Sequence, residues 1–161
     1  MISVDYASEL AAHVGQELGV SSWRSLTFED FVAFGAISGD ASWIHTDRER
    51  ARRETPFGDV IAQGFLTLSL VTALSGECFE IRRKARSLNY GLEHVRFTNP
   101  VTPADRVRLR LSLGGFVAVN PGVSRLTLSC VLEIEAKPKP ALVADWLSMV
   151  YDAAQKLGVE A

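Results

Sequence analysis

Between Phe65 and Leu74 the chain runs Phe-Leu-Thr-Leu-Ser-Leu-Val-Thr-Ala-Leu, and no other stretch restricts the fold as much. Phe65, Leu66, Leu68, Leu70, Val71 and Leu74 leave a helix in this position almost no polar face. A helix that is apolar all round in a soluble protein is surrounded by other structure. A membrane span takes roughly 20 predominantly apolar residues. This run, interrupted by Thr67, Ser69 and Thr72, is too short for that. The expectation is a helix over about 62–79 that the rest of the chain must wrap.

The C-terminal half has the period of a wrapping sheet. In Arg106 to Leu113, Val107, Leu109, Leu111 and Leu113 alternate with Arg106, Arg108, Arg110 and Ser112, the pattern of a half-exposed strand. Arg125 to Glu135 repeats it, with Leu126, Leu128, Cys130, Leu132 and Ile134 on one face. Asn120-Pro121-Gly122 between them is strong turn chemistry. Leu142 to Tyr151 is apolar on both faces and suits a central strand. Leu88 to Phe97 reads as another strand whose alternation slips near Gly91, where a bulge is expected. The fold class is therefore α+β, a curved antiparallel sheet around one buried helix.

The N-terminal part is more helical. Residues 5–14 suit a short helix with Leu10 as its apolar contact. Thr27 to Ile37 reads as a helix opened by a capping-box pair, Thr27 and Asp30, and closed by Gly39. A second short helix is expected over Asp47 to Arg53, and Pro56 and Gly58 break the chain again. The Arg82-Arg83-Lys84-Ala85-Arg86 run reads as a surface loop.

A chain of 161 residues is long enough for one domain with a real core. A single domain over 1–161 is expected, with its core at about 15–152. The formal net charge of −2 gives no overall basic surface for nucleic acid. Cys78 and Cys130 match no metal or redox spacing and read as two reduced, buried thiols. The N-terminal residues lack the features of a signal peptide, so the protein is expected to be soluble and cytoplasmic. His13, His45 and His94 have no zinc-type spacing, no metal site is expected, and nucleotide-binding and serine-hydrolase motifs are missing.

The chemistry-bearing stretch is Ser38-Gly39-Asp40-Ala41-Ser42-Trp43-Ile44-His45, followed about twenty residues later by Ile61-Ala62-Gln63-Gly64-Phe65. Asp40 alone is ordinary turn chemistry after a glycine, and His45 alone is ordinarily a structural histidine. In this order, ahead of a glycine that opens an apolar helix, they read as an acid/base pair with an exposed backbone donor. Water addition across a polarised double bond requires that set of groups. An imidazole can accept or donate a proton near neutral pH. The amide of Gly64 at a helix N-terminus can meet negative charge developing on a carbonyl oxygen.

These residues resemble the MaoC-like hydratases of the hot-dog fold, the (R)-specific enoyl-CoA hydratases. The resemblance is carried by Gly39-Asp40-x-x-x-Ile44-His45, Pro56-Phe57-Gly58 and Ile61-Ala62-Gln63-Gly64-Phe65-Leu66-Thr67-Leu68-Ser69. Asn89-Tyr90-Gly91 and Val95-Arg96-Phe97-x-x-Pro100-Val101 are similar to the branch holding the NodN-type proteins and (3R)-hydroxyacyl-CoA dehydratases. The resemblance implies Asp40 and His45 as catalytic pair, the Gly64 amide as oxyanion donor and Ser69 as a serine bonded near the pair. Ser69 can equally bond back to its own helix. Gln63 and Asn89 are further supporting candidates, with a helix-start residue and a strand-edge hydrogen bond as their structural alternatives. The family's common Asn-Pro before Ile-His is Ser42-Trp43 here, and its common histidine before the glycine is Gln63.

The expected activity is reversible hydration of trans-2-enoyl thioesters, with an acyl-CoA thioesterase or a non-catalytic acyl-thioester-binding subunit as the alternatives. No cofactor is expected beyond the coenzyme A or acyl carrier protein of the substrate. Neither nucleic acid nor membrane is expected as a partner, and the resemblance implies at least a homodimer.

Overall fold

The computed structural model describes residues 1–153. Its elements run β1 (Ile2–Val4), a 3-10 helix (Ala7–His13), β2 (Glu17–Val20), β3 (Arg24–Ser25), α1 (Phe28–Ser38), α2 (Trp43–Thr46), α3 (Arg48–Glu54), α4 (Gly64–Ser75), β4 (Phe79–Ile81), β5 (Lys84–Phe97), β6 (Arg106–Asn120), β7 (Val123–Ile134) and β8 (Leu142–Asp152). The main sheet is antiparallel in the order β2-β6-β7-β8-β5, with β3 also on β6. This is the hot-dog arrangement that the sequence implies, a long sheet with α4 on its inner face.

The alternation seen in the sequence becomes burial. Val107, Leu109, Leu111 and Leu113 of β6 face the core, as do Leu126, Leu128, Cys130, Leu132 and Ile134 of β7. On β8 the buried residues also alternate, from Leu142 to Val150. The strand is central in position, between β7 and β5, but its two faces are not equally buried. Full burial of each such aliphatic side chain stabilises the fold by about 1.5–3 kcal/mol, so this inner face dominates the energetics. Leu66, Leu70, Val71 and Leu74 bring α4 into the same core, together with Val4, Ala7, Leu10 and Phe31.

Local expectations change around the central helix. The long helix is Gly64–Ser75, shorter than the apolar pattern implied, because the chain turns at Glu77 and Cys78 and enters β4. That strand pairs in parallel with β1, and neither was visible as a strand in the sequence. The helix is also covered less completely than an all-apolar surface requires, since Phe65 is 69% exposed.

The basic run is not a loop throughout. Only Arg82 and Arg83 form the turn, with their amides donating to the carbonyls of Val4 and Asp5, and Lys84 already belongs to β5. β5 lies at the sheet edge with exposed side chains, and charge is compatible with an edge strand. The guanidinium of Arg86 stacks on Tyr151 of β8, 4.1 Å from the ring centre. The expected bulge is present, as a register shift between Asn89 and Gly91 against β8.

The helix α1 follows its sequence signals closely. Asp30 N–H donates to Thr27 Oγ1 at 3.2 Å, and Thr27 N–H donates back to Asp30 Oδ2 at 2.7 Å. Gly39 closes the helix at φ 80°, a left-handed conformation that costs glycine little. Cys78 and Cys130 are free and buried. Burial pushes the Cys78 thiol up to about 11 and the Cys130 thiol up to about 12.

Candidate active site

The site is built where three short pieces meet: the turn after α1, the single helical turn α2, and the extended segment leading into α4. His45 lies on α2, a helical turn over Trp43–Thr46 that the sequence reading did not assign. Its Nδ1 is 2.7 Å from the carbonyl oxygen of Ile61. A carbonyl only accepts, so Nδ1 carries the proton and the neutral ring keeps its lone pair on Nε2. The Ile61 amide donates back to the carbonyl of Ile44 at 3.1 Å. The two bonds tie α2 to the chain just ahead of Gly64.

The free nitrogen faces the carboxylate. His45 Nε2 lies 3.8 Å from Asp40 Oδ2, with the His45 side chain 12% exposed and the Asp40 side chain 51% exposed. The ring is thus held in protein while its partner is reached by solvent. Asp40 itself is the residue after the left-handed Gly39, and its amide donates to Ser38 Oγ at 3.2 Å.

Gly64 is the first residue of α4, where a backbone N–H has no partner within the helix. It and His45 line the same cavity, of about 310 Å³, with Ile61, Thr67 and Phe97. A Cβ at position 64 would stand 3.1 Å from the Phe97 ring. Phe97 also meets Phe65 edge-on, with ring centres 6.0 Å apart. Thr67 fixes the first turn by donating from its hydroxyl to the Gly64 carbonyl at 2.7 Å.

Gln63 is fully buried, and its side-chain amide donates to the carbonyls of Phe31 and Asp40 at 3.0 and 3.1 Å. Ser69 lies elsewhere. Its hydroxyl bonds back to the Leu66 carbonyl at 2.7 Å, as serine does inside a helix. Together with Asn89 it lines a second cavity of about 240 Å³ between α4, β5 and the inner sheet face, next to Cys130 and Trp146. The structure therefore brings together Asp40, His45, Gln63 and Gly64, and places Ser69 and Asn89 around a neighbouring space.

The sequence reading missed Thr67, Phe97 and the Ile61 carbonyl. Phe97 stood in the quoted Val95-Arg96-Phe97 stretch, but its contact with Gly64 joins residues more than thirty positions apart. No pattern marks a backbone carbonyl as a histidine partner.

The loop that delivers Ile61 and Gln63 is held from outside. Arg48 of α3 donates from Nε to Asp59 Oδ1 at 3.0 Å, and the Val60 amide donates to the same oxygen at 2.9 Å. The guanidinium beside it lowers the Asp59 carboxyl to about 2. Trp43, at one of the two positions where the chain departs from the family's Asn-Pro, carries the Arg50 guanidinium 4.1 Å from its ring centre. Among the described residues, no three His, Cys, Asp or Glu side chains gather as metal ligands, and no helix is long and apolar enough to cross a membrane.

A curved sheet around a helix, with an imidazole, a carboxylate and a helix-start amide gathered at one end of it, defines a hot-dog hydro-lyase of the hydratase and dehydratase type. The chain belongs to the MaoC-like family: the family model described as "MaoC like domain" matches residues 9–127. It is 39% identical to 3-hydroxyacyl-thioester dehydratase Z of Mycobacterium tuberculosis over 145 residues, 90% of this chain and 95% of that protein. It is 38% identical to nodulation protein N of Rhizobium leguminosarum bv. viciae over 144 residues, 89% of each. Among solved structures, the (R)-hydratase from A. caviae involved in PHA biosynthesis shares the fold, with a TM-score of 0.68 at 23% identity over 84% of this chain and 94% of that one.

Proposed function

We propose that this hydro-lyase adds water to trans-2-enoyl thioesters in the (R) sense and, in reverse, dehydrates 3-hydroxyacyl thioesters. The observation that carries the reading is the 3.8 Å separation of His45 Nε2 and Asp40 Oδ2 beside the cavity that His45 shares with Gly64. One water molecule can contact both groups at ordinary hydrogen-bond distances of about 2.8 Å.

In the forward direction His45 Nε2 removes a proton from that water as its oxygen bonds to C3. Asp40 accepts a hydrogen bond from the second hydrogen, which stays on the oxygen, and so orients the water's lone pair toward C3. The C2–C3 π electrons move toward the thioester carbonyl, whose oxygen gains charge and is met by the Gly64 amide and the start of α4. The imidazolium, stabilised by the Asp40 carboxylate, then gives its proton to C2 as the enolate collapses. Hydroxyl has gone to C3 and hydrogen to C2, and both side chains return to their starting states. No cofactor takes part beyond the thiol carrier of the substrate, coenzyme A or acyl carrier protein.

The same reading includes a homodimer. β5 is a 14-residue edge strand that exposes Leu88, Tyr90, Leu92 and Phe97, and Phe97 meets the exposed Phe65 of α4 edge-on. A second copy pairing there removes both an open edge and an apolar surface.

The test is a spectrophotometric assay with enoyl-CoAs of several chain lengths, followed by the stereochemistry of the product. Loss of enoyl absorbance with formation of the (R)-alcohol is expected. Release of free thiol without hydration would replace the reading with a thioesterase, and binding without turnover would replace it with a non-catalytic acyl-thioester-binding subunit.

A further inference from the structure

We infer that Gln63 is a positioning residue that holds Asp40 in register with His45 and the Gly64 amide. The inference rests on the hydration reading above and assigns a task within it.

Gln63 links the Asp40 turn to the start of α4. Its own peptide bond carries the Gly64 N–H, so the orientation of Gln63 sets the direction of that donor. Its side chain, fully buried, reaches back across the core and donates to the carbonyl of Asp40 at 3.1 Å and to that of Phe31 at 3.0 Å. Both partners are acceptors, so only the NH₂ end of the amide satisfies them and the group cannot be reversed. The opposite oxygen, Oε1, is buried and meets no donor among the described residues. The fold therefore keeps a buried polar amide in its core together with the two donated bonds. A methionine or leucine of similar size would fill the space without burying that acceptor.

A second feature of α1 serves the same contact. A Cβ at Gly35 would stand 3.0 Å from the Asp40 carbonyl oxygen and 3.3 Å from Gln63 Nε2. The helix surface is bare at the position where the Asp40 turn and the Gln63 amide fold against it. The Gly35 carbonyl also accepts from the Gly39 amide at 2.9 Å. The Asp40 backbone is held at its carbonyl by the Gln63 amide and at its N–H by the Ser38 hydroxyl, just after the Gly39 bond closes α1, while its carboxylate stays solvent-exposed.

The first test uses the wild-type protein. Both side-chain amide protons of Gln63 are expected to exchange with solvent at least about tenfold more slowly than those of the exposed Gln16, by NMR. Equal exchange overturns the inference. The second test uses Gln63→Met, which keeps the volume and removes both donors. Hydrogen exchange over residues 39–46 is expected to accelerate about tenfold, and unchanged exchange overturns the inference even if the protein proves not to be a hydratase. Failure of wild-type enzyme to hydrate any enoyl thioester would sink the functional reading instead.

With an active enzyme, kcat of Gln63→Met is expected to fall by about 10- to 100-fold, with KM within about threefold. Combining it with Asp40→Asn should cost little beyond Asp40→Asn alone, because both act through the same carboxylate. Full multiplication of the two losses, or a kcat within about twofold of wild type, would overturn the assignment.

Discussion

His45 donates from Nδ1 to the carbonyl of Ile61 at 2.7 Å and thereby turns Nε2 toward Asp40. A backbone carbonyl sixteen residues away sets the tautomer of the proposed base. His45→Ala and Asp40→Asn are each expected to lower the kcat/KM of enoyl-CoA hydration by about 10²–10⁴. Far-UV circular dichroism of both variants should match that of the parent. Full activity in both would remove the pair from the mechanism.

The role of the Gly64 amide can be isolated by comparing two substitutions. Gly64→Ala and Gly64→Pro place the same Cβ against Phe97, but only proline removes the N–H. The first position of a helix accepts proline, and Gln63 at φ −58° and ψ 138° has the extended backbone required before it. The proline variant is therefore expected to have a kcat about 10²–10³ below that of the alanine variant. Equal rates in steady-state assays would move the oxyanion donor elsewhere.

Gly35→Ala should have opposite effects on helix propensity and on turnover. Alanine normally favours a helix interior over glycine by about 1 kcal/mol. Here its Cβ would press on the Asp40 carbonyl and the Gln63 amide, and a misplacement of about 1 Å can cost about 10²-fold in rate. The expected result is a thermal midpoint within about 5 °C of wild type with kcat reduced at least about tenfold. Unchanged turnover would show that the turn tolerates displacement.

The Arg48–Asp59 pair gives a pH dependence of stability. An aspartate in the unfolded chain titrates near about 3.9, while in the folded protein the Asp59 carboxyl is lowered to about 2. The stabilisation is thus fully present above about pH 4 and is lost as pH falls toward about 2. Arg48 is 40% exposed, so solvent screening limits the contribution to about 1 kcal/mol. Asp59→Asn should lower unfolding stability by about that amount near neutral pH, in urea titrations, and the gap should close in the acid window. A difference that is constant across pH would contradict the assignment.

The two thiols should be silent in the native protein. Buried and pushed up to about 11 and about 12, Cys78 and Cys130 form almost no thiolate at neutral pH. A disulfide-exchange reagent is expected to detect neither in the folded state and both after denaturation. Rapid native labelling would mean that the inner sheet face opens far more often than its packing implies.

Much of this protein can be read directly from its residues. The two-residue period of β6 and β7, the capping box at Thr27 and Asp30, the left-handed stop at Gly39 and the bulge near Gly91 are local chemistry, and each appears where its residues require. The grouping of Asp40, His45 and Gly64 could also be read, because their order along the chain is itself a signature. The tertiary structure decided what depends on distant partners. It paired β1 with β4, continued the edge strand through Arg86, and separated Ser69 and Asn89 from the acid/base pair. It also chose the Ile61 carbonyl as the partner of His45 and turned the Gln63 amide toward Asp40. Periodicity and capping are properties of neighbouring residues, whereas a hydrogen bond between residues tens of positions apart exists only once packing has fixed both ends.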